Sequence, residues 1–135
     1  MLTQFPGAVR LVYKDFPLDF HKDARPAAEA ARCAGEHGLF WEYHDLLFVA
    51  QPAFSRDDLM SYAARLGVPR DAFAACLDSG RHREPVTADV KEGRAVGVTA
   101  TPTFFINGRK LVGSQPFENF RQVIQDALDQ AGAKK

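Results

Sequence analysis

Gly97-Val98-Thr99-Ala100-Thr101-Pro102-Thr103-Phe104-Phe105-Ile106-Asn107-Gly108 marks a change in the character of the chain. Thr101-Pro102-Thr103-Phe104-Phe105-Ile106 is predicted to be a strand, with apolar residues on both faces. A strand buried on both faces needs helices on both sides, which puts the chain in the α/β or α+β class. Asn107-Gly108 is the pair favoured in a two-residue type I′ hairpin turn, where both positions take positive φ. Arg109 to Val112 is then the return strand. Beyond it, Phe117, Phe120, Val123, Ile124 and Leu128 mark a final amphipathic helix, which Pro116 opens and Gly132 ends.

Upstream of the hairpin the pattern is helical. His21 to His37 is alanine-rich, with Pro26 tolerable in an early turn. Phe40, Tyr43, His44 and Leu47 follow helical spacing and give a second helix with a heavy aromatic load. Ser55 and Asp58 form a capping box, flanked by Phe54 and Leu59 in the positions of a hydrophobic staple. Leu59, Tyr62, Ala63 and Leu66 then make one stripe that Gly67 closes. Pro69 begins a short helix with Phe73, Cys76 and Leu77 on one face. Pro85 to Ala95 is helical, with Gly93 a weak point. Before all of these, Val9 to Phe16 alternates and is β-rich, so it is predicted to be a strand with Val9, Leu11 and Tyr13 on one face. The order is strand, five helices, hairpin, helix.

The totals narrow the function. The 135 residues are the size of one domain, and 46% hydrophobic with 25% charged is ordinary globular composition. Seventeen basic residues balance seventeen acidic ones, so no chain-wide charge draws phosphate, and nucleic acid is not an expected partner. The run Arg81-His82-Arg83 reads as a solvated face. No stretch reaches the about 18–20 apolar residues that cross a bilayer. Met1 to Gly7 lacks the features of a secretory signal. The chain is therefore cytosolic, or its signal has been removed, or its beginning lies upstream. Cys33 and Cys76 stand 43 positions apart, a spacing that matches neither a metal motif nor a redox pair. His21, His37, His44 and His82 fall outside zinc-ligand spacing. The two cysteines read either as buried small hydrophobes or as one structural disulfide; no cofactor and no metal is expected.

Four segments together carry a family resemblance. Gly97 to Gly108 resembles the cis-proline segment and hairpin of DsbA-like disulfide oxidoreductases. Val9 to Leu18 is similar to their second core strand with its trailing Phe-Pro-Leu. Ala30 to Asp45 resembles the opening of their inserted helical domain, and Phe73 to Gly80 a later helix of it. The resemblance implies one thioredoxin-like domain over 1–135, incomplete at the N-terminus. Its core is 1–18 with 98–135, and its helical insertion is 19–97. It also implies a cis Thr101–Pro102 bond, with Ala100, Thr101 and Pro102 offering backbone groups to an extended peptide or protein thiol substrate. Cys33 and Cys76 would approach on facing helices, within the about 7 Å between Cα atoms that a disulfide spans. Members of the family are mostly periplasmic or extracytoplasmic.

The family's Cys-x-x-Cys, at a helix start where a thiolate is stabilised, has no counterpart here. Leu2 to Gly7 can supply only the tail of that helix. Neither remaining cysteine stands at a helix start, so no catalytic residue is expected. Three functions stay open. The chain is a partial thiol–disulfide oxidoreductase, inactive as given; or a non-catalytic module that binds peptides or proteins; or a relative of the kappa-class glutathione transferases and isomerases. A core without its first strand leaves an open sheet edge beside Thr103 to Ile106, so a homodimer is expected there.

Overall fold

The structure, a computed structural model, describes residues 4–133. These contain six helices and one two-stranded sheet. The chain divides into two compact units, Asp15–Ala95 and Met1–Lys14 with Val96–Lys135.

The first unit is helical: α1 Ala24–Gly35, α2 Phe40–Ala50, α3 Arg56–Arg65, α4 Arg70–Ser79 and α5 Arg83–Ala95. Helix α1 buries Ala27, Ala30, Ala31 and Ala34 beside Cys33. Small side chains on that face let neighbouring helices approach closely. The larger volume comes from Tyr43 of α2 and Phe73 of α4, both fully buried with ring centroids 5.7 Å apart. Each such burial stabilises the unit by about 2–3 kcal/mol. The Tyr43 hydroxyl donates to the Leu59 carbonyl at 2.9 Å, so its polar end is satisfied inside the core. The predicted capping box is present: the Ser55 hydroxyl accepts from the Asp58 amide, and the Asp58 carboxylate accepts from the Ser55 amide, both at 3.1 Å. At its other end Gly67 follows the cap with φ +80°, a conformation that side chains with a Cβ rarely adopt.

A buried ion network ties the first residue of this unit to its helices. Asp15 accepts from Arg32 Nε at 2.7 Å; Arg32 Nη2 also donates to Asp89 at 2.8 Å, and the Asp15 amide donates to the same Asp89 oxygen at 2.9 Å.

In the second unit β1, Thr103–Ile106, pairs antiparallel with β2, Arg109–Val112, so that Thr103 faces Val112 and Ile106 faces Arg109. Asn107 and Gly108 take φ of 49° and 89°, as their turn type requires. Helix α6, Phe117–Ala133, buries Phe120, Val123 and Ile124, and Phe104 meets Phe120 edge-on at 4.8 Å.

Several expectations change. Val9 to Phe16 forms no strand; Leu11, Val12 and Tyr13 are 44%, 58% and 42% exposed. A strand is defined by pairing, and no segment among the described residues pairs with this one. The hairpin strand is not buried on both faces: Thr103, Phe104 and Ile106 are half-buried and Phe105 is exposed. Two strands and one packed helix do not cover both sides of it. Helix α6 runs through Gly132 to Ala133 instead of ending at the glycine. Helix α5 starts at Arg83, two residues before Pro85, which is compatible with a proline in the first turn. Leu2 and Thr3, assigned to a helix tail, lie outside the described residues.

Candidate functional site

Two groups of residues concern function, one in each unit. In the second unit the chain passes from Gly97, φ +86°, through Ala100, Thr101 and Pro102 into β1. The Thr101–Pro102 bond is cis, and Ala100 to Pro102 are exposed. Hydrogen bonds hold the loop at its margins. Thr103 Oγ1 donates to the Ala100 carbonyl at 2.7 Å, and the Gly113 amide donates to the Pro102 carbonyl at 2.8 Å. Lys110 Nζ donates to the Gly97 carbonyl at 2.8 Å, tying the start of the segment to β2. Between these ties, the Thr101 amide and carbonyl have no partner among the described residues. The outer edge of β1 also has no paired strand among them. An exposed backbone edge that continues into unpartnered groups can accept an extended peptide as a further strand.

In the helical unit, Cys33 of α1 and Cys76 of α4 are joined by a disulfide, with Cα atoms 5.9 Å apart. Both cysteines are buried. Around the bridge the chain gathers charge. Helix α4 ends at Gly80 in the left-handed conformation, φ +67°, and the turn after it brings Arg81 and His82 to Glu36 at the end of α1. Arg81 donates through Nε and Nη2 to the two Glu36 oxygens at 3.0 and 2.7 Å, and His82 Nε2 pairs with Glu36 Oε2. Hydrogen bonds from Arg81, then from His82, hold the Glu36 carboxyl down at about 2. Glu36 Oε2 also lies 3.1 Å from Cys76 Sγ. A bridged sulfur carries no hydrogen to donate, so the carboxylate oxygen packs directly on the disulfide. One ligand atom each from Cys33, Glu36, Cys76 and His82 fall within 4.8 Å of one another. In the sequence Arg81 and His82 belong to a run expected to be solvated, and Glu36 carries no signal of a role. Arg81 and Arg83 are exposed, as a solvated run requires, while His82 is half-buried, and Arg81 and His82 both hold Glu36. Cys33 and Glu36 are near neighbours in sequence, but no spacing joins them to positions 76 and 82; the packing of α4 on α1, with the turn after α4, does so.

Comparison with known proteins bears on both groups. The sequence model of a family described as thioredoxin matches residues 2–126. The chain is 40% identical over 129 residues to a protein named Na(+)/H(+) antiporter NhaA 1 of Salinispora arenicola, covering 95% of this chain and 20% of that one. It is 39% identical over 125 residues to Na(+)/H(+) antiporter NhaA 3 of Salinispora tropica, covering 92% and 19%. With Na(+)/H(+) antiporter NhaA of Herminiimonas arsenicoxydans it shares 37% over 123 residues, covering 91% and 20%. The chain thus spans about a fifth of the length of the curated relatives it matches. No solved structure matches it. Among the described residues no helix is long and apolar enough to cross a membrane.

Proposed function

The chain belongs to the thioredoxin family, and we propose that within it the chain is a DsbA-like module that binds an extended peptide or protein segment along its cis-proline loop. The family has a thiol–disulfide oxidoreductase type of fold. In this reading the thioredoxin core is 1–18 with 98–135, and 19–97 is a helical insertion. The observation that carries the proposal is the loop itself. Ala100, Thr101 and Pro102 are exposed, and the Thr101 backbone groups are unpartnered among the described residues, at the entrance to an unpaired strand edge. The ligand's main chain would supply hydrogen bonds to Thr101, and its side chains the specificity.

Binding rather than turnover is favoured by the cysteine inventory. The chain has two cysteines, and both belong to the buried bridge in the helical unit. Neither stands at a helix start, where a thiolate is best stabilised. The relatives' names favour a particular partner. The module matches a segment of proteins named Na(+)/H(+) antiporters, and we assign it the same company: an antiporter chain, with the loop holding a peptide segment of that or a neighbouring protein. A second copy of the chain is the proposed cover for the outer edge of β1.

The test is a fluorescence-polarisation titration of a labelled, extended, cysteine-containing peptide. Pro102→Ala is expected to weaken binding about tenfold, because it reshapes the loop that presents Thr101. An unchanged affinity would move the site elsewhere. The same preparation should reduce insulin no faster than its Cys33→Ser, Cys76→Ser form; turnover abolished by that double substitution would replace the binding reading with an enzymatic one.

A further inference from the structure

We propose that the Cys33–Cys76 pair is one half of a redox-switched zinc site, closed as a disulfide and opened on reduction to bind Zn²⁺ with His82 and Glu36. The structure supplies four donors of the types that zinc prefers: two cysteine sulfurs, an imidazole nitrogen and a carboxylate oxygen. They come from two helices and the turn that follows one of them. The donor atoms already lie within 4.8 Å of one another. Zinc bonds of about 2.0–2.3 Å in a tetrahedron need donor–donor edges of about 3.3–3.8 Å, so small side-chain rotations close the site without moving a helix. Cα atoms 5.9 Å apart leave the two sulfurs free to part to such an edge once their bond is broken.

Charge supports the same assignment. Two thiolates and one carboxylate outweigh a divalent cation by one negative charge when the imidazole is neutral. Arg81, whose guanidinium already holds Glu36, offsets it. Arg81 keeps Oε1 as the partner of its Nη2, while Oε2, which faces Cys76 Sγ and His82 Nε2, gives up its bond from Arg81 Nε and turns to the metal. Burial of both cysteines keeps the thiolates from bulk water.

The chemistry balances in two steps. A dithiol reductant gives two electrons and two protons to the Cys33–Cys76 bond, which breaks to two thiols as the reductant closes to its own disulfide. Zn²⁺ then replaces the two thiol protons, which pass to solvent. A disulfide oxidant runs the sequence backwards: it takes two electrons from the thiolates, is itself reduced to a dithiol, and the sulfurs rejoin as the metal leaves. The disulfide form has no thiolates and does not hold zinc.

The experiment uses the full 135-residue chain. It is unfolded, reduced with a phosphine, and refolded without oxygen, with and without Zn²⁺. The reduced chain is expected to take up one equivalent of zinc that the disulfide-bonded chain does not. With Co²⁺ as probe it should show thiolate-to-metal charge transfer and the strong visible bands of a tetrahedral site. His82→Ala should weaken zinc roughly 100-fold or more, since loss of even an outer partner of a ligand costs about 10–100-fold; Glu36→Gln should weaken it less. Circular dichroism follows the fold throughout. If the reduced chain is unfolded without metal, zinc should restore its helical spectrum. Equal zinc uptake by the disulfide form, no uptake by the reduced form, a cobalt spectrum without charge transfer, an unaltered affinity in His82→Ala, or a reduced chain that stays unfolded with zinc would each overturn the proposal.

Discussion

Asp15 is a carboxylate at 5% exposure, and its protonation is set by competing neighbours. Burial raises its pKa above 3.8 and is the largest influence; the hydrogen bond and charge of Arg32 pull it down, and the Asp89 carboxylate pushes it up. The folded chain therefore keeps this proton to a higher pH than the unfolded one. The group favours folding below 3.8, and that contribution fades as pH rises through the folded value. Arg32→Met removes the cation that holds two carboxylates at one point. It should destabilise the protein by about 3 kcal/mol at neutral pH, because uncompensated charge is left buried. Without the guanidinium, whose bond and charge lower it, the Asp15 carboxyl is held still higher, so the loss should shrink as pH falls through the carboxylate range. Urea unfolding of both proteins from pH 7 to pH 3 checks this; a pH-independent difference would show that packing, not charge, is lost. None of this network was legible in the sequence. Asp15 stood in a predicted strand and Arg32 in an alanine-rich helix, and no spacing rule joins positions 15, 32 and 89. The same is true of Glu36 and His82. Pairings between distant positions belong to the fold, whereas Thr101-Pro102 was readable because its flanking residues carry their own signal.

At the scale of elements, what was legible is what is local. Helix α3 is the clearest case: its cap, its staple residues and its terminating glycine all lie within fourteen consecutive positions, Phe54 to Gly67. Ser55→Ala removes the acceptor for the Asp58 amide and should cost about 1 kcal/mol. The urea midpoint should fall with an unchanged slope, and a replacement by Asp, which also caps, should recover most of it. A midpoint insensitive to alanine would mean that tertiary packing alone defines the start of α3. The hairpin was legible for the same reason, since Asn107-Gly108 specifies its own turn. Val9 to Phe16 has the composition of a strand, but strandedness needs a second segment at about 4.8 Å, and alternation cannot supply one. Phe104 and Phe105 announced burial by their character, yet the depth of burial depends on how many layers stand over them. One helix does so here, through Phe120.

For the whole molecule, the β1 edge sets the expected assembly. Phe105 and Val112 are 44% and 49% exposed on a sheet of two strands, and small apolar sheets are rarely left open to water. We expect light scattering at micromolar concentration to give about 30 kDa, twice the 14.9 kDa of the chain. Hydrogen exchange at Thr103 and Phe105 should slow as concentration rises. A mass that stays at 14.9 kDa with concentration-independent exchange rules the dimer out. The Cys33–Cys76 bond has a different consequence at this scale. It makes the backbone from 33 to 76 a closed ring that includes α2 and α3. The turn at Gln51, Pro52 and Ala53 lies on that ring and is exposed. A protease cutting once there opens the ring but frees no fragment. The nicked protein should run as one band of full mass on a non-reducing gel and as two pieces once a thiol is added. Two pieces before the thiol would show that the ring was never closed. With the bridge intact, the helical unit has a second covalent path across 33 to 76, so one break in the main chain within that span leaves it in one piece.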